Sequence, residues 1–165
     1  MIKNPQKIIP GRYHVVPRTL ILLFKEDQVL LQKGAASKKI WAGKYNGLGG
    51  HVERGEDILS SARRELLEEA GVECKDLHLS GTVTIDVDEF EGILMFVFSG
   101  QVVQGKIRSS EEGMLEWLKI DSINQIPVVE DILMLIGKVR GTQLGGLFHG
   151  HYAYDEQGRL KTTFS

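Results

Sequence analysis

The chain is short of several things, and each shortage removes a class of protein. It has one cysteine, Cys74, in 165 residues. No internal disulfide can form, which fits a reducing compartment rather than a cross-linked secreted scaffold. No motif surrounds Cys74, so it reads as a small buried or half-buried residue, not a nucleophile. No apolar run approaches the roughly eighteen residues of a membrane span, so no membrane partner is expected. The opening stretch "MIKNPQKIIPGRYHVV" lacks an apolar core of signal-peptide length, and the expected location is the cytoplasm. Neither sign of charge dominates: 20 Lys and Arg against 22 Asp and Glu give a net charge of −2. A nucleic-acid polymer calls for a basic face, so none is expected as partner. A small anion needs only a few local cations. No internal repeat, low-complexity segment, P-loop or serine or cysteine nucleophile arrangement is visible.

What is present is an ordinary globular composition, 42% hydrophobic and 25% charged, in a chain long enough to bury a core. One domain over residues 1–165 is the expectation. Residues 1–17 carry Pro5, Pro10, Gly11 and Pro17 and read as an irregular lead-in. "RTLILLF" (18–24) and "VLLQ" (29–32) read as the arms of a hairpin. Residues 33–45 read as a loop holding Lys33, Lys38, Lys39 and Lys44, either solvated or a patch that attracts phosphate. Strands are expected at 77–87, 92–103 and 115–120, apolar residues at helical spacing over 128–139, and a closing hairpin around "DEQG" within 146–164. The simplest organisation is a mixed α/β (α+β) domain with a mixed sheet between helices.

The richest segment is "GHVERGEDILSSARRELLEEAGV", residues 50–72. On a helical projection of residues 57–70, Leu59, Ala62, Leu66 and Ala70 share an arc of about 80°. Glu65, Glu68 and Glu69 share an adjacent arc of about 100°. Asp57 stands where a carboxylate caps a helix, and Gly71 where a left-handed residue ends one. Three like charges on one arc repel, and Arg63 and Arg64 project away from it. A solvated face is one reading of the cluster. The other is a divalent-cation site, because oxygen-rich, cysteine-free clusters suit hard cations, Mg²⁺ first. The glycine-rich "NGLGG" before the helix, which lets a backbone approach a ligand closely, favours the second.

The same residues resemble the Nudix box, G-x5-E-x7-R-E-U-x-E-E-x-G-U with U aliphatic. Gly50, Glu56, Arg64, Glu65, Leu66, Glu68, Glu69, Gly71 and Val72 meet every fixed position. The resemblance implies the Nudix fold and hydrolysis of a nucleoside diphosphate linked to another group. By the same resemblance Glu65, Glu68 and Glu69 bind the metal and one of them activates water. Gly49 and Glu112 join the metal site, with Glu111 an adjacent alternative. Glu56 and Arg64 form a structural pair. The expected cofactor is Mg²⁺, with Mn²⁺ as a substitute.

"KYNGLGGHVERGE" and the terminal "FHGHYAY" look like the MutT-type enzymes that convert oxidised purine triphosphates such as 8-oxo-dGTP to monophosphate and pyrophosphate. On that resemblance Asn46 touches the base, and the acid pair Glu130 and Asp131 accepts hydrogen bonds from a purine edge. Lys33, from the lysine loop, is placed with them as a substrate contact. The tryptophan that precedes the acid pair in the animal enzymes is missing here. Trp41 could stack in its stead, though core packing is the plainer role. His51 follows the box glycine and reads equally as a phosphate contact or a structural residue. His149 and His151 share a strand face without an evident third metal ligand. The expected partner is a small nucleotide, and the assembly a monomer or homodimer. The box also serves hydrolases of ADP-ribose, dinucleotides and nucleotide sugars, and a Nudix module that senses a nucleotide without cutting it is a further alternative.

Overall fold

A computed structural model describes residues 6–37, 39–102, 107–109, 113–142 and 145–165. Their strands are β1 (His14–Lys25), β2 (Gln28–Gly34), β3 (Tyr45–Asn46), β4 (His78–Asp86), β5 (Glu91–Gln101), β6 (Gly113–Lys119), β7 (Phe148–Tyr154) and β8 (Leu160–Phe164). The α-helices are α1 (Ile58–Ala70) and α2 (Ile132–Gly141), and a 3-10 helix covers Ile120–Gln125. The strands form one mixed sheet in the order β3-β2-β1-β5-β4-β7-β8, with β6 on β2. Both the hairpin β1–β2 and the closing hairpin β7–β8 are antiparallel, as the turn chemistry between the arms predicts. Two pairings, β1 with β5 and β4 with β7, are parallel.

Alternation along β1 sorts its side chains into two layers. Ile21 and Leu23 pack with Leu48, Ala62, Leu66 and Phe98 under α1. Leu20 and Leu22 pack with Val97, Ile132, Leu135 and Ile136 under α2. The sheet is therefore sandwiched between helices. The apolar stripe expected of α1 is the buried one: Ala62, Leu66 and Ala70 are fully or almost fully covered. Replacing Leu66 by Ala would cost about 2–5 kcal/mol.

β1 begins at His14, inside the stretch expected to be an irregular lead-in. The strand reaches back because β5 pairs with it in parallel from His14 to Phe24. Pro17 is tolerated there. Its carbonyl accepts from Val52 N–H on the edge away from β5, so its missing N–H falls on that edge too and removes nothing from the β1–β5 ladder.

The sheet opens at one place, and that opening positions the site. β2 pairs with β1 only at Leu23–Lys25 and then leaves to join β3 and β6. The glycine-rich segment takes its place along β1. Thr19 N–H donates to Gly50 O at 2.8 Å, and Ile21 N–H and Leu48 N–H exchange bonds with each other's carbonyls at 2.7 and 3.2 Å. The approach is so close that a Cβ at Gly49 would strike the Thr19 carbonyl, and Gly49 has φ +127°. Only glycine satisfies both conditions.

Candidate active site

The box helix is assembled from local signals. Asp57 caps α1 by accepting from Leu59 N–H at 2.9 Å and Ser60 N–H at 3.0 Å. Gly71 closes it in the left-handed conformation, φ 66°. Arg64 ties the preceding loop to the helix. It donates Nη2 to Glu56 Oε1 at 2.7 Å, Nε to Glu56 Oε2 at 3.1 Å and Nη2 to His51 O at 3.1 Å. The Arg64 hydrogen bonds, aided by the Glu53 N–H, hold the Glu56 carboxyl down at about 2. The same contacts push Arg64 upward.

One expectation fails here. Arg64 does not point away from the acid arc: Nη1 donates to Glu65 Oε1 at 2.9 Å and to Glu68 Oε2 at 3.1 Å. A projection of Cα positions ignores the reach of a guanidinium, which bends to serve the acids on both sides of it. Arg64 therefore offsets part of the repulsion in the cluster as well as anchoring Glu56.

The three helix glutamates occupy different environments. Glu69 is buried, 7% exposed, and its Oε2 accepts from Gly49 N–H at 2.7 Å. Glu65 also lies low, so close to the loop that a Cβ at Gly50 would lie 2.5 Å from its Oε1. Glu68 is the exposed member, with 59% of its side chain accessible. Glu65 and Glu69, with Gly49, line a cleft of about 810 Å³; Glu68 is not among its lining residues.

That cleft gathers residues from across the chain. One end has Gly49, Gly50, His51, Glu65 and Glu69, and the rest includes Asn46, Glu130 and Asp131. Asn46 Oδ1 accepts from Gly47 N–H at 2.8 Å, which fixes its amide. Asp131 stands at the N-cap of α2 but makes no side-chain cap bond. Burial, then the neighbouring Glu130 charge, raises its carboxyl above the usual range. Lys33 is not among the lining residues; its Nζ lies 5.5 Å from the Tyr45 ring centroid, a cation–π contact. Glu112, its neighbour Glu111 and Lys38 lie outside the described residues.

Several lining residues carry no sequence signal of their own. Ile85 and Asp86 of β4, Ile93 and Met95 of β5, and Tyr152 and Tyr154 of β7 form the far floor and wall. Only the long-range strand pairings bring them together. Trp41 corrects an expectation. It is 46% exposed, lines the cleft and has φ 61°, so it is not packed into the core. A bulky residue in the left-handed region is strained, and such residues recur at ligand clamps. Arg18 donates Nε to His51 Nε2 at 3.1 Å, placing a cation and an imidazole on the lip beside Glu65 and Glu69. His149 bonds Thr82 at 2.9 Å and His151 bonds Asp86 at 2.8 Å, so each exposed ring has its own partner. Cys74 is buried, its Sγ bonded to Asp76 and Gln101 O, and burial pushes the thiol up to about 12.

A sheet between helices, a glycine-rich segment laid along β1, and two carboxylates facing a cleft make up the site. The sequence matches the NUDIX domain over residues 14–133, and the chain belongs to that family. It is 38% identical over 147 residues to the oxidized purine nucleoside triphosphate hydrolase of Mus musculus, covering 86% of this chain and 88% of that protein. It is equally 38% identical over 106 residues to the protein of the same name from Danio rerio, covering 64% of this chain and 67% of the other. Among solved structures, the MutT protein from Bacillus halodurans superposes with a TM-score of 0.77 at 26% identity, over 91% of this chain and 97% of that one. The chain is thus a Nudix hydrolase, in a family whose enzymes act on small nucleotides and generally need a divalent metal. No helix among the described residues is long and apolar enough to cross a membrane.

Proposed function

We propose that this protein hydrolyses a purine nucleoside triphosphate, with an oxidised purine such as 8-oxo-dGTP as the favoured substrate, to the monophosphate and pyrophosphate. The observation that carries this reading is a cleft of about 810 Å³ that is lined by Glu65 and Glu69 together with Asn46, Glu130 and Asp131. Its size falls in the range of small-ligand sites. The likeness to two oxidized purine nucleoside triphosphate hydrolases supports the base assignment.

The donor set fits a hard divalent cation. Glu65 and Glu69 offer carboxylate oxygens on the cleft wall, and Glu68, three residues after Glu65 and next to Glu69, lies on the exposed side. Among the described residues no group of three or more acids, histidines or cysteines is arranged to hold a metal ion unaided. An open site of this kind suits Mg²⁺, which keeps water and substrate phosphates among its ligands. Glu65, Glu69 and Glu68 would hold it, with Gly49 beside them and Mn²⁺ a workable substitute. When bound, such an ion polarises phosphoryl oxygens and acidifies a bound water.

The remaining work falls to the chain. Gly49 N–H fixes one oxygen of Glu69, which holds the carboxylate against the glycine-rich segment. Arg64 holds Glu65 and Glu68 in place from behind. Arg18 and His51, on the lip, face the end of the phosphate tail. Asn46 and the acid pair read the base edge, and Trp41 covers its face. The test is to incubate the wild-type protein and Mg²⁺ with 8-oxo-dGTP, dGTP and ADP-ribose and to separate the products. Monophosphate and pyrophosphate should form fastest from 8-oxo-dGTP. Turnover of ADP-ribose with none of either triphosphate would refute the reading.

A further inference from the structure

The cleft is lined by the carboxyl groups of Glu53, Glu65, Glu69, Asp86, Glu130 and Asp131. Among its described lining residues Arg18 alone carries a permanent positive charge. An arginine in such company has acids to pair with, and Arg64 pairs with Glu56, Glu65 and Glu68. Arg18 forms no ion pair among the described residues. Its side chain makes one hydrogen bond there, from Nε to His51 Nε2 at 3.1 Å. That bond orients the guanidinium plane and leaves both Nη atoms, each a donor, without an acceptor among the described residues.

Strand geometry aims this side chain at the cleft. Side chains alternate along β1, so Arg18 shares a face with Leu20. Residues paired across a sheet share a face as well. Arg18 pairs with Met95 of β5 and forms an isolated bridge with His51. Leu20, Met95 and His51 all line the cleft with it. Arg18 is partly exposed and His51 is exposed, so a ligand can reach the guanidinium. The acids lie against the neighbouring backbone: Gly49 N–H donates to Glu69, and Gly50 faces the Glu65 carboxylate. His51 is the next residue, so the cation stands just beyond the backbone that seats the acids. A divalent ion between those acids and the substrate answers the phosphates it bridges. A phosphate beyond the ion needs a cation from the chain, and Arg18 is the one that lines the cleft.

Resting on the purine triphosphate reading above, we propose that Arg18 selects for phosphate-chain length, its guanidinium binding the terminal phosphate that a diphosphate lacks. The planar fork of a guanidinium matches two phosphate oxygens at once, which an ammonium does not. The experiment measures kcat/KM of wild type, Arg18→Gln and Arg18→Lys on 8-oxo-dGTP and 8-oxo-dGDP with Mg²⁺. A diphosphate that is not cut is scored by its inhibition of triphosphate turnover. Arg18→Gln should slow the triphosphate about 10- to 100-fold, the weight of a hydrogen bond to a charged group. The diphosphate offers no partner for the lost contact and should change by no more than about twofold. Arg18→Lys keeps the charge without the fork, and its loss on the triphosphate should fall between. Both substrates meet the same preparation of each variant, so a lower folded fraction cancels from their ratio. An unchanged ratio in Arg18→Gln, whether both substrates slow alike or neither does, would overturn the proposal. Wild type inactive on 8-oxo-dGTP would overturn the purine triphosphate reading itself, and with it this proposal, an outcome visible without the variants.

Discussion

Two aspartates stand at the N-caps of the two α-helices, and they are used differently. Asp57 adopts the extended conformation of a capping residue, φ −89° and ψ 167°, and gives its carboxylate to Leu59 N–H and Ser60 N–H. Those bonds, the Ser60 N–H first, lower its carboxyl from the usual value. Asp131 has helical torsions, φ −94° and ψ −11°, and makes no cap bond. Its carboxyl is half-buried in the cleft wall and raised by burial. One aspartate stabilises its helix, and the other leaves its helix uncapped and lines the cleft. A polar group withheld from the local bond it is placed to make is a mark of function.

The comparison can be broken in three ways. The largest effect is expected on catalysis. A hydrogen bond to a charged group contributes about 1.5–3 kcal/mol, so Asp131→Asn should lower kcat/KM on 8-oxo-dGTP about 10- to 100-fold. Asp57→Asn, far less involved with the cleft, should change it by no more than about twofold, since Asn caps as well as Asp. Steady-state assays of the two variants side by side decide this, and equal losses would erase the contrast.

The next effect is on stability, with the order reversed. Losing the cap in Asp57→Ala should lower the melting temperature by about 2–4 °C. Asp131→Ala removes a desolvated carboxylate that caps nothing, so its melting temperature should stay level or rise. Thermal denaturation followed by circular dichroism measures both.

The smallest effect is confined to acid. Glu56 titrates at about 2 in the folded protein against an ordinary 4.5. A lowered folded value means that the unfolded chain binds the proton more readily. The stabilisation is complete above about 4.5, fades as pH falls and is gone below about 2. Glu56→Gln should remove that part of the pH dependence, flattening the melting temperature between pH 5 and pH 3 relative to wild type. Curves that stay parallel over that window would show that the Arg64 pair does not carry it.

The parts of the site legible in sequence are those set by local rules. Asp57, Gly71, the apolar stripe and the acid arc of α1 depend on residues a few positions apart, and α1 with its caps forms as they predict. The hairpin expected from 18–24 and 29–32 and the one around "DEQG" within 146–164 form as turn chemistry and alternation predict, though β1 and β2 run beyond the expected arms to His14 and Gly34. What escaped depends on side-chain reach or on distant pairing. Arg64 bends to Glu65 and Glu68, which a projection of helix positions cannot register. Trp41 looked like core because tryptophan usually is, but a left-handed backbone turns it out to the cleft. Tyr152 is buried, and its place in the cleft follows from the parallel pairing of β4 with β7, 67 residues apart at Thr82 and His149. Lys33 was grouped with the site by charge alone, while its ammonium lies over Tyr45.

The central claim is that one cleft divides its labour, with chemistry at the α1 end and base recognition at the α2 end. The direct test is kcat/KM for wild type, Glu69→Gln and Asp131→Asn, each on 8-oxo-dGTP and on dGTP with Mg²⁺. Glu69→Gln should slow both substrates alike, by about 10²–10⁴-fold, leaving their ratio as in wild type. Asp131→Asn should change the ratio. The account is contradicted if Asp131→Asn lowers both substrates by the same factor, or if Glu69→Gln alters the preference between them.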